Sequence, residues 1–294
     1  MEYHSVSEVA RMWQMSERTI RHYCSNGVIE GAQKVGRSWK IPSGATPPLA
    51  QKANHSALLY RLQEERSAQI KGGIYHKIHI ELTYNSNRIE GSSLSEEETR
   101  YIFETNTVGV EGGPFNVDDI IETANHFRAI DFIIDRGRYE LTESFIKKLH
   151  HFLKHGTSDS RKPWFATGEY KKVPNEVGGM NTTPPKLVGK EIGELLSWYR
   201  SLTSIRFDDI LEFHVRFERI HPFQDGNGRV GRLIMFKECL AHNIVPFIIS
   251  DSMKAFYYRG LQQWEHKQGF LRDTCLAAQD TFKEELRYFE IPFV

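Results

Sequence analysis

The sequence predicts a mainly α-helical protein with one β-hairpin and a small separate unit at its N-terminus. From about residue 52 onward, apolar side chains recur at three- and four-residue spacing, which is typical of helices with one buried face. Residues 168–185 break this pattern because they are rich in Gly, Pro, Asn and Thr, and we interpret them as a β-hairpin or loop. The predicted helices are 117–135, 142–154, 191–202, 208–220, 229–241, 254–266 and 274–287.

The N-terminal unit, residues 1–42, has its own pattern. Ser5 and Glu8 have the spacing of a capping box that opens a short helix, and a second helix is predicted over residues 17–24. Two strand-like segments then flank Gly36. Helix, turn, helix and β-wing in this order resemble the winged helix-turn-helix of the excisionase and MerR type.

Basic side chains make DNA the expected partner of this unit. Cations on a helix and a wing can contact phosphates while the helix enters the major groove. Residues 1–42 hold six basic and four acidic side chains, so a single copy is expected to bind weakly, and a homodimer is expected. The alternative is a unit that only contacts protein. The candidate DNA-binding residues are Arg18, Arg21, His22, Lys34, Arg37 and Lys40.

Composition excludes several other classes of protein. The 294 residues carry 38 basic and 38 acidic side chains, which excludes a uniformly basic nucleic-acid coat. No apolar run approaches the roughly 20 residues that span a bilayer, so no membrane partner is expected. The N-terminus lacks the features of a signal peptide, and the three cysteines are far apart. We therefore expect a cytoplasmic protein.

The most informative segment runs from His221 to Arg232, with the sequence HPFQDGNGRVGR. Its glycines predict a turn into a helix N-terminus, where free N–H groups and the helix dipole favour phosphate. Arg229 and Arg232 lie three residues apart and can hold several phosphate oxygens. Asp225 is placed to bind Mg²⁺ that also contacts phosphates, and His221 is a base that titrates near neutrality. These are the parts of a phosphoryl or nucleotidyl transfer site.

The same segment resembles the signature of the Fic family, HxFx(D/E)GNGRxxR, at every fixed position. The resemblance implies an all-helical core with a hairpin flap that transfers AMP from ATP to a Ser, Thr or Tyr hydroxyl of a protein, which can be the chain itself. It implies that His221 is the general base, that Asp225 binds Mg²⁺, and that Phe223 points into the core. The implied nucleotide-binding residues are Gly226, Asn227, Gly228, Arg229, Val230, Gly231 and Arg232, joined by Tyr257 and Tyr258, whose alternative role is in the core.

Residues 168–179 resemble the flap of that family, which pairs with an extended segment of the target protein. The alternative is an ordinary surface hairpin. The flap residues expected to contact the target are Val177, Gly178, Gly179 and Met180.

A second resemblance lies upstream of the core. Ser86 to Gly91, SNRIEG, fits the inhibitory pattern (S/T)xxxE(G/N) of the family. The resemblance implies that Glu90 pairs with Arg232 and competes with the γ-phosphate for its guanidinium. A solvated glutamate is the alternative, and in some relatives the same glutamate supports removal of AMP.

The sequence thus predicts three regions: a winged helix-turn-helix over 1–46, a helical region with the inhibitory segment over 47–115, and the catalytic core over 116–294. The favoured function is a self-inhibited protein adenylyltransferase that uses ATP and Mg²⁺ and is coupled to DNA binding. The alternatives are a DNA-binding regulator that senses nucleotides, a deAMPylase, and a transferase of another phosphate-containing group.

Overall fold

A computed structural model of the protein describes residues 3–13, 17–25, 29, 31–36, 38–45, 56–109, 116–177 and 180–293. The chain divides into two compact units, 1–55 and 56–294. The predicted region boundaries at residues 46 and 115 stay predictions.

The described residues of the first unit form two helices and a small antiparallel sheet. Its elements are β1 (Tyr3–Ser5), α1 (Val6–Met12), α2 (Glu17–Ser25), β2 (Gln33–Val35) and β3 (Ser38–Pro42). The strand order is β1-β3-β2. Strand β1 is not predicted from the sequence, because a strand of three residues is too short to show an alternating pattern. The capping box of α1 is confirmed, since Ser5 and Glu8 each accept a hydrogen bond from the backbone N–H of the other. The winged helix-turn-helix stays a prediction.

Three of the predicted DNA-binding residues can be placed in this unit. Arg21 is exposed on α2 and pairs with Glu17 at 2.6 Å. Lys34 on β2 and Lys40 on β3 are also exposed. Arg37 lies outside the described residues, as do the side chains of Arg18 and His22.

The second unit is mainly helical and contains the hairpin, which confirms both predictions. Pro185, which the sequence placed at the end of the loop, instead opens a helix, because proline suits the first helical position. Its elements are α3 (Ala57–Ala68), α4 (Ile74–Ile89), α5 (Glu96–Thr105), α6 (Val117–Asp135), α7 (Glu143–Lys154), β4 (Glu176–Val177), β5 (Met180–Asn181), α8 (Pro185–Ser201), α9 (Phe207–Ile220), α10 (Asn227–Ala241), α11 (Lys254–Gln262) and α12 (Gly269–Tyr288).

Helix α10 is the centre of this unit. Every residue from Asn227 to Leu240 is buried, because α4, α6, α7 and α9 all pack against the helix. A helix buried on all sides has no polar face, which explains why its sequence lacks a clear amphipathic pattern. The predicted phosphate-binding segment therefore begins the most enclosed helix of the unit.

Within the described ranges, each helix is too short or too polar to cross a bilayer.

Candidate active site

The loop between α9 and α10 presents His221. This residue caps the C-terminus of α9 in a left-handed conformation, with φ 50° and ψ 61°. Its Nδ1 lies 3.3 Å from the carbonyl oxygen of Glu218, which can only accept, so Nδ1 carries the proton and Nε2 has a free lone pair. Burial lowers the pKa of His221 to about 4. The imidazole is thus neutral at pH 7 and is able to accept a proton.

Asn227 fixes the shape of this loop. Its Oδ1 accepts a hydrogen bond from the N–H of Phe223 at 2.8 Å, and its Nδ2 donates to the carbonyl oxygen of Phe223 at 2.8 Å. The Phe223 ring is fully buried and stacks on His150, with 4.0 Å between ring centroids. The loop therefore has a defined geometry before any ligand binds.

Replacing Asn227 by alanine is expected to destabilise the protein by about 1–3 kcal/mol, because it leaves the buried N–H of Phe223 without its acceptor and removes one of the two donors to the Phe223 carbonyl oxygen. Urea unfolding followed by circular dichroism measures the change. Gln262→Ala, at an exposed site on α11, is the matched control and is expected to change stability by less than about 0.5 kcal/mol. Equal stability of the Asn227 variant and the wild type would contradict this prediction.

The N-terminus of α10 lies directly after this loop. Gly226 precedes the helix with φ 79°, a conformation that favours glycine, and within the described chain no side chain caps this helix end. The first N–H groups of a helix have no carbonyl partner within the helix. They can therefore bind an anion.

Arg232 is held by the end of α4. Its Nη2 lies 2.7 Å from Glu90 Oε1 and 2.9 Å from the carbonyl oxygen of Ser86, and its Nε donates to Ser86 Oγ at 3.0 Å. A Cβ atom built on Gly228 would lie 2.2 Å from Glu90 Oε1, so this carboxylate rests against the first turn of α10. Glu90 thus lies beside Gly228 at the start of α10 and engages Arg232.

Arg229 belongs to a second network of charges. It pairs with Glu122 of α6 and lies 3.5 Å from Asp225. The ammonium of Lys154 contacts Glu122 at 2.5 Å and Asp225 at 2.6 Å. Burial raises the pKa of Asp225, but the Arg229 and Lys154 cations outweigh it and hold this pKa well below its usual range. Asp225 is therefore ionised at neutral pH.

Both arginines keep donor capacity for a ligand. In the described part of the chain, Arg229 Nε and Arg232 Nη1 are buried and have no hydrogen-bond partner. An unpaired buried guanidinium N–H is costly, so these atoms favour an incoming anion.

The residues fit a magnesium ion that arrives with a nucleotide. Mg²⁺ in such sites is held by one or two carboxylates together with substrate phosphates. Asp225 supplies one ionised carboxylate, and its side chain is 49% exposed beside the helix N-terminus. Among the described residues, no group of three or more His, Cys, Asp or Glu side chains is arranged to hold a metal ion without a ligand from the nucleotide.

The hairpin lies next to the loop. Glu176 pairs with Asn181 and Val177 pairs with Met180. Val177 is 38% exposed, whereas Gly178, Gly179 and the side chain of Met180 lie outside the described residues. Val173 N–H donates to Gln224 Oε1 at 3.3 Å, which links the hairpin region to the loop that carries His221.

The two tyrosines predicted to contact adenine have different surroundings. Tyr257 is buried, and its hydroxyl lies 2.6 Å from His214 Nε2. Tyr258 is 41% exposed, so its ring is the one that is open to a ligand. In the motif itself, Val230 packs in the core, and a Cβ on Gly231 would collide with Glu218 at 2.5 Å. The side chain of Val230 thus serves packing, as does the small size of Gly231.

Sequence reasoning missed the partners of the motif. Glu122 and Lys154 lie on α6 and α7, more than 70 residues before Arg229, and neither belongs to a pattern of its own. Glu218 was also missed, although burial raises its pKa to about 8. It precedes His221 by three residues on α9, which is the one local hint that it lies near the site.

The loop and helix N-terminus at the centre of this site lie within a region that is similar to known proteins. Residues 140–239 match the Fic/DOC family. This Fic/DOC region includes α7, the hairpin, α9 and nearly all of α10, and therefore His221, Asp225, Arg229 and Arg232. Ser86 and Glu90 lie outside it.

Relatives of the Fic/DOC region extend the similarity. A protein adenylyltransferase, fic-1, from Caenorhabditis briggsae is 24% identical over 182 residues, which cover 60% of this chain and 35% of that protein. A protein adenylyltransferase Fic from Drosophila willistoni is 28% identical over 184 residues, or 61% of this chain and 35% of that protein. The chain thus spans about a third of the length of these relatives.

Solved structures show the same fold. A Fic domain-containing signaling protein from Bacteroides thetaiotaomicron superposes with a TM-score of 0.58 at 24% identity, covering 78% of this chain and 90% of the other. Residues 134–508 of Fic-1 from C. elegans give a TM-score of 0.60 at 17% identity, covering 83% and 74%. The expected Fic-type helical fold with a small hairpin is thereby confirmed.

Proposed function

We propose that this chain is a self-inhibited protein adenylyltransferase that uses ATP and Mg²⁺. The observation that carries the proposal is the arrangement around α10: a neutral imidazole, an ionised carboxylate and two arginines surround one uncapped helix N-terminus. The similarity of the region to proteins named adenylyltransferases supports AMP as the transferred group.

The proposed reaction begins at His221. Its Nε2 takes the proton from a Ser, Thr or Tyr hydroxyl of a target protein, and the hydroxyl oxygen attacks the α-phosphate of ATP in line. A new phosphorus–oxygen bond forms to the target while the bond between the α- and β-phosphates breaks, and pyrophosphate leaves. The amides of Gly226, Asn227 and Gly228 stabilise the charge that develops on the phosphate oxygens.

The charged side chains hold the nucleotide. Arg229 and Arg232 bind the β- and γ-phosphates, and Tyr258 contacts the adenine. Asp225 would hold Mg²⁺, which neutralises phosphate charge when it is bound. The exposed hairpin residue Val177 would contact an extended segment of the target, which aligns its hydroxyl with His221.

Glu90 is the proposed inhibitor. Its carboxylate lies against the first turn of α10 and is bound to Arg232, so the γ-phosphate and Glu90 compete for one guanidinium. Ser86 supports the inhibited state because it accepts a hydrogen bond from Arg232.

The test uses ATP with two alternative radioactive labels and the Glu90→Gly variant. Transfer of label from the α-phosphate, but not from the γ-phosphate, to the protein itself or to lysate proteins is the expected result, with a mass increase of one AMP. Transfer of the γ-label would identify a phosphotransferase. Loss of AMP from a modified protein without any transfer would identify a deAMPylase. If neither label moves although ATP binds, the proposal is wrong.

We propose in addition that the first unit binds DNA, on the basis of its exposed cations Arg21, Lys34 and Lys40. Replacing all three residues by alanine is expected to make the dependence of DNA affinity on salt weaker. The negative slope of log K for DNA association against log salt concentration should become shallower by about 0.9 for each phosphate that the variant no longer neutralises. Fluorescence anisotropy with DNA from upstream of the gene measures this slope. Three exposed cations of the second unit, Lys190, Arg272 and Arg287, provide the control variant. Equal slopes for the two triple variants would contradict DNA binding by this unit.

A further inference from the structure

We propose that Lys171 is a positioning residue that connects the hairpin to the general base by holding the carbonyl groups of the two residues that flank His221, Ile220 and Pro222. The inference uses the proposed role of His221 but adds a residue to which neither the sequence motif nor the resemblance gives a role.

The first observation concerns the backbone around His221. The N–H of Lys171 donates to the carbonyl oxygen of Pro222 at 2.9 Å, and its Nζ lies 3.3 Å from the carbonyl oxygen of Ile220. Lys171 therefore binds the carbonyl groups of the residue before His221 and of the residue after it. His221 has the left-handed conformation that non-glycine residues rarely adopt, and such a conformation persists where the surroundings fix it.

The second observation concerns the other donors of the same ammonium. Nζ also donates to Asn175 Oδ1 at 2.7 Å and to Thr182 Oγ1 at 2.6 Å. These residues lie immediately before β4 and immediately after β5, so they are the two ends of the hairpin. Asn175 in turn donates to the carbonyl oxygen of Phe223 at 3.1 Å, a second link to the same loop.

The third observation is the environment of the ammonium. Lys171 is only 3% exposed, and within the described chain it forms no ion pair with a carboxylate. A lysine ammonium has three protons, and the three neutral oxygens of Ile220, Asn175 and Thr182 receive them. Burying a cation that has no carboxylate partner costs free energy, and a side chain that only fills space would not require this. The three donors of one ammonium can instead bind three chain segments at a single point.

These contacts set the distance between the hairpin and His221. A target segment that pairs with the hairpin places its hydroxyl relative to β4 and β5, while His221 must meet that hydroxyl at hydrogen-bond distance. Because both elements share one buried anchor, their separation is fixed before the target binds. A displacement of 1 Å at such a point can cost about 10²-fold in rate.

The first experiment measures hydrogen exchange and needs no enzymatic activity. Lys171→Met keeps the length of the side chain and its backbone N–H but removes the three Nζ donors. We expect exchange of His221, Phe223 and Thr182 amides to accelerate together by about tenfold, with α10 unchanged. Lys171→Arg, which keeps a multiple donor, is expected to restore part of the protection, and Lys190→Met, at an exposed lysine, is the control.

Two results would overturn the inference: acceleration in the hairpin alone, or no acceleration in either segment. Thr182→Val serves as a milder variant in case Lys171→Met does not fold. It removes one acceptor at the hairpin end, and it is expected to accelerate exchange in both segments as well.

The second experiment measures kinetics in the Glu90→Gly background. Lys171→Met is expected to lower kcat for the protein acceptor by about 10²-fold and to leave the Kd for ATP unchanged, because the hydrogen bonds of Lys171 go to the hairpin ends and to Ile220 and Pro222, not to residues 226–228. An unchanged kcat would overturn the inference. If the Glu90→Gly parent itself transfers no AMP, the proposed function fails, whereas the exchange result still decides whether Lys171 couples the two segments.

Discussion

Replacing Glu90 by glycine is expected to raise the rate of AMP transfer by roughly 10²–10³-fold, the effect of gaining one well-placed donor to a transferring phosphate. In the present structure the Glu90 carboxylate binds Arg232 at 2.7 Å and rests against Gly228. Glycine removes the competing anion and vacates the space over the helix N-terminus. The measurement is the initial rate of transfer from ATP labelled at the α-phosphate, at saturating Mg²⁺.

Two control variants separate competition for Arg232 from a general loosening of α4. Glu90→Gln keeps most of the volume but removes the charge, so a smaller increase is expected. Adding Arg232→Ala to Glu90→Gly should abolish most of the gain, because no guanidinium at position 232 is then left to bind the γ-phosphate. If Glu90→Gly raises the rate equally with and without Arg232, the proposed competition is wrong.

The sequence predicted the local parts of this site because their chemistry is contained in short segments. The left-handed glycine at residue 226 and the helix N-terminus that follows it are expected from the glycines of the motif. Glu90 is predicted to pair with Arg232, and the structure brings it, together with Ser86, to that arginine across more than 140 positions. That prediction rested on a family resemblance, since no periodicity indicates such a contact.

Other features could not be predicted because they depend on packing between distant helices. Lys154 has the pattern of an ordinary cation at the end of an amphipathic helix, yet it is 2% exposed among three carboxylates. Tyr257 follows the motif at a position typical of ligand contact, but it is buried against His214. Burial of α10 on all sides creates these environments, and burial of a polar group is decided by the neighbours that the fold supplies rather than by its own segment.

Replacing His221 by alanine in the Glu90→Gly background is expected to lower AMP transfer by about 10²–10⁴-fold, the usual contribution of a general base. Nucleotide binding should persist, because the helix N-terminus and both arginines do not depend on the imidazole. The transfer rate and the Kd for ATP are measured on the same preparation. His266→Ala, at an exposed histidine, is the control and should match the parent. If the His221 variant transfers AMP at the parent rate, His221 is not the general base.

The pH dependence of the parent tests the same role without a mutation at the site. Burial lowers the pKa of His221 to about 4, so the base stays unprotonated and competent at pH values above this. An ordinary histidine, with a pKa of about 6.5, would be about 90% protonated at pH 5.5 and would lose most of its activity there. We therefore expect the rate to fall less than twofold between pH 7 and pH 5.5, because the half-buried imidazole disfavours a positive charge.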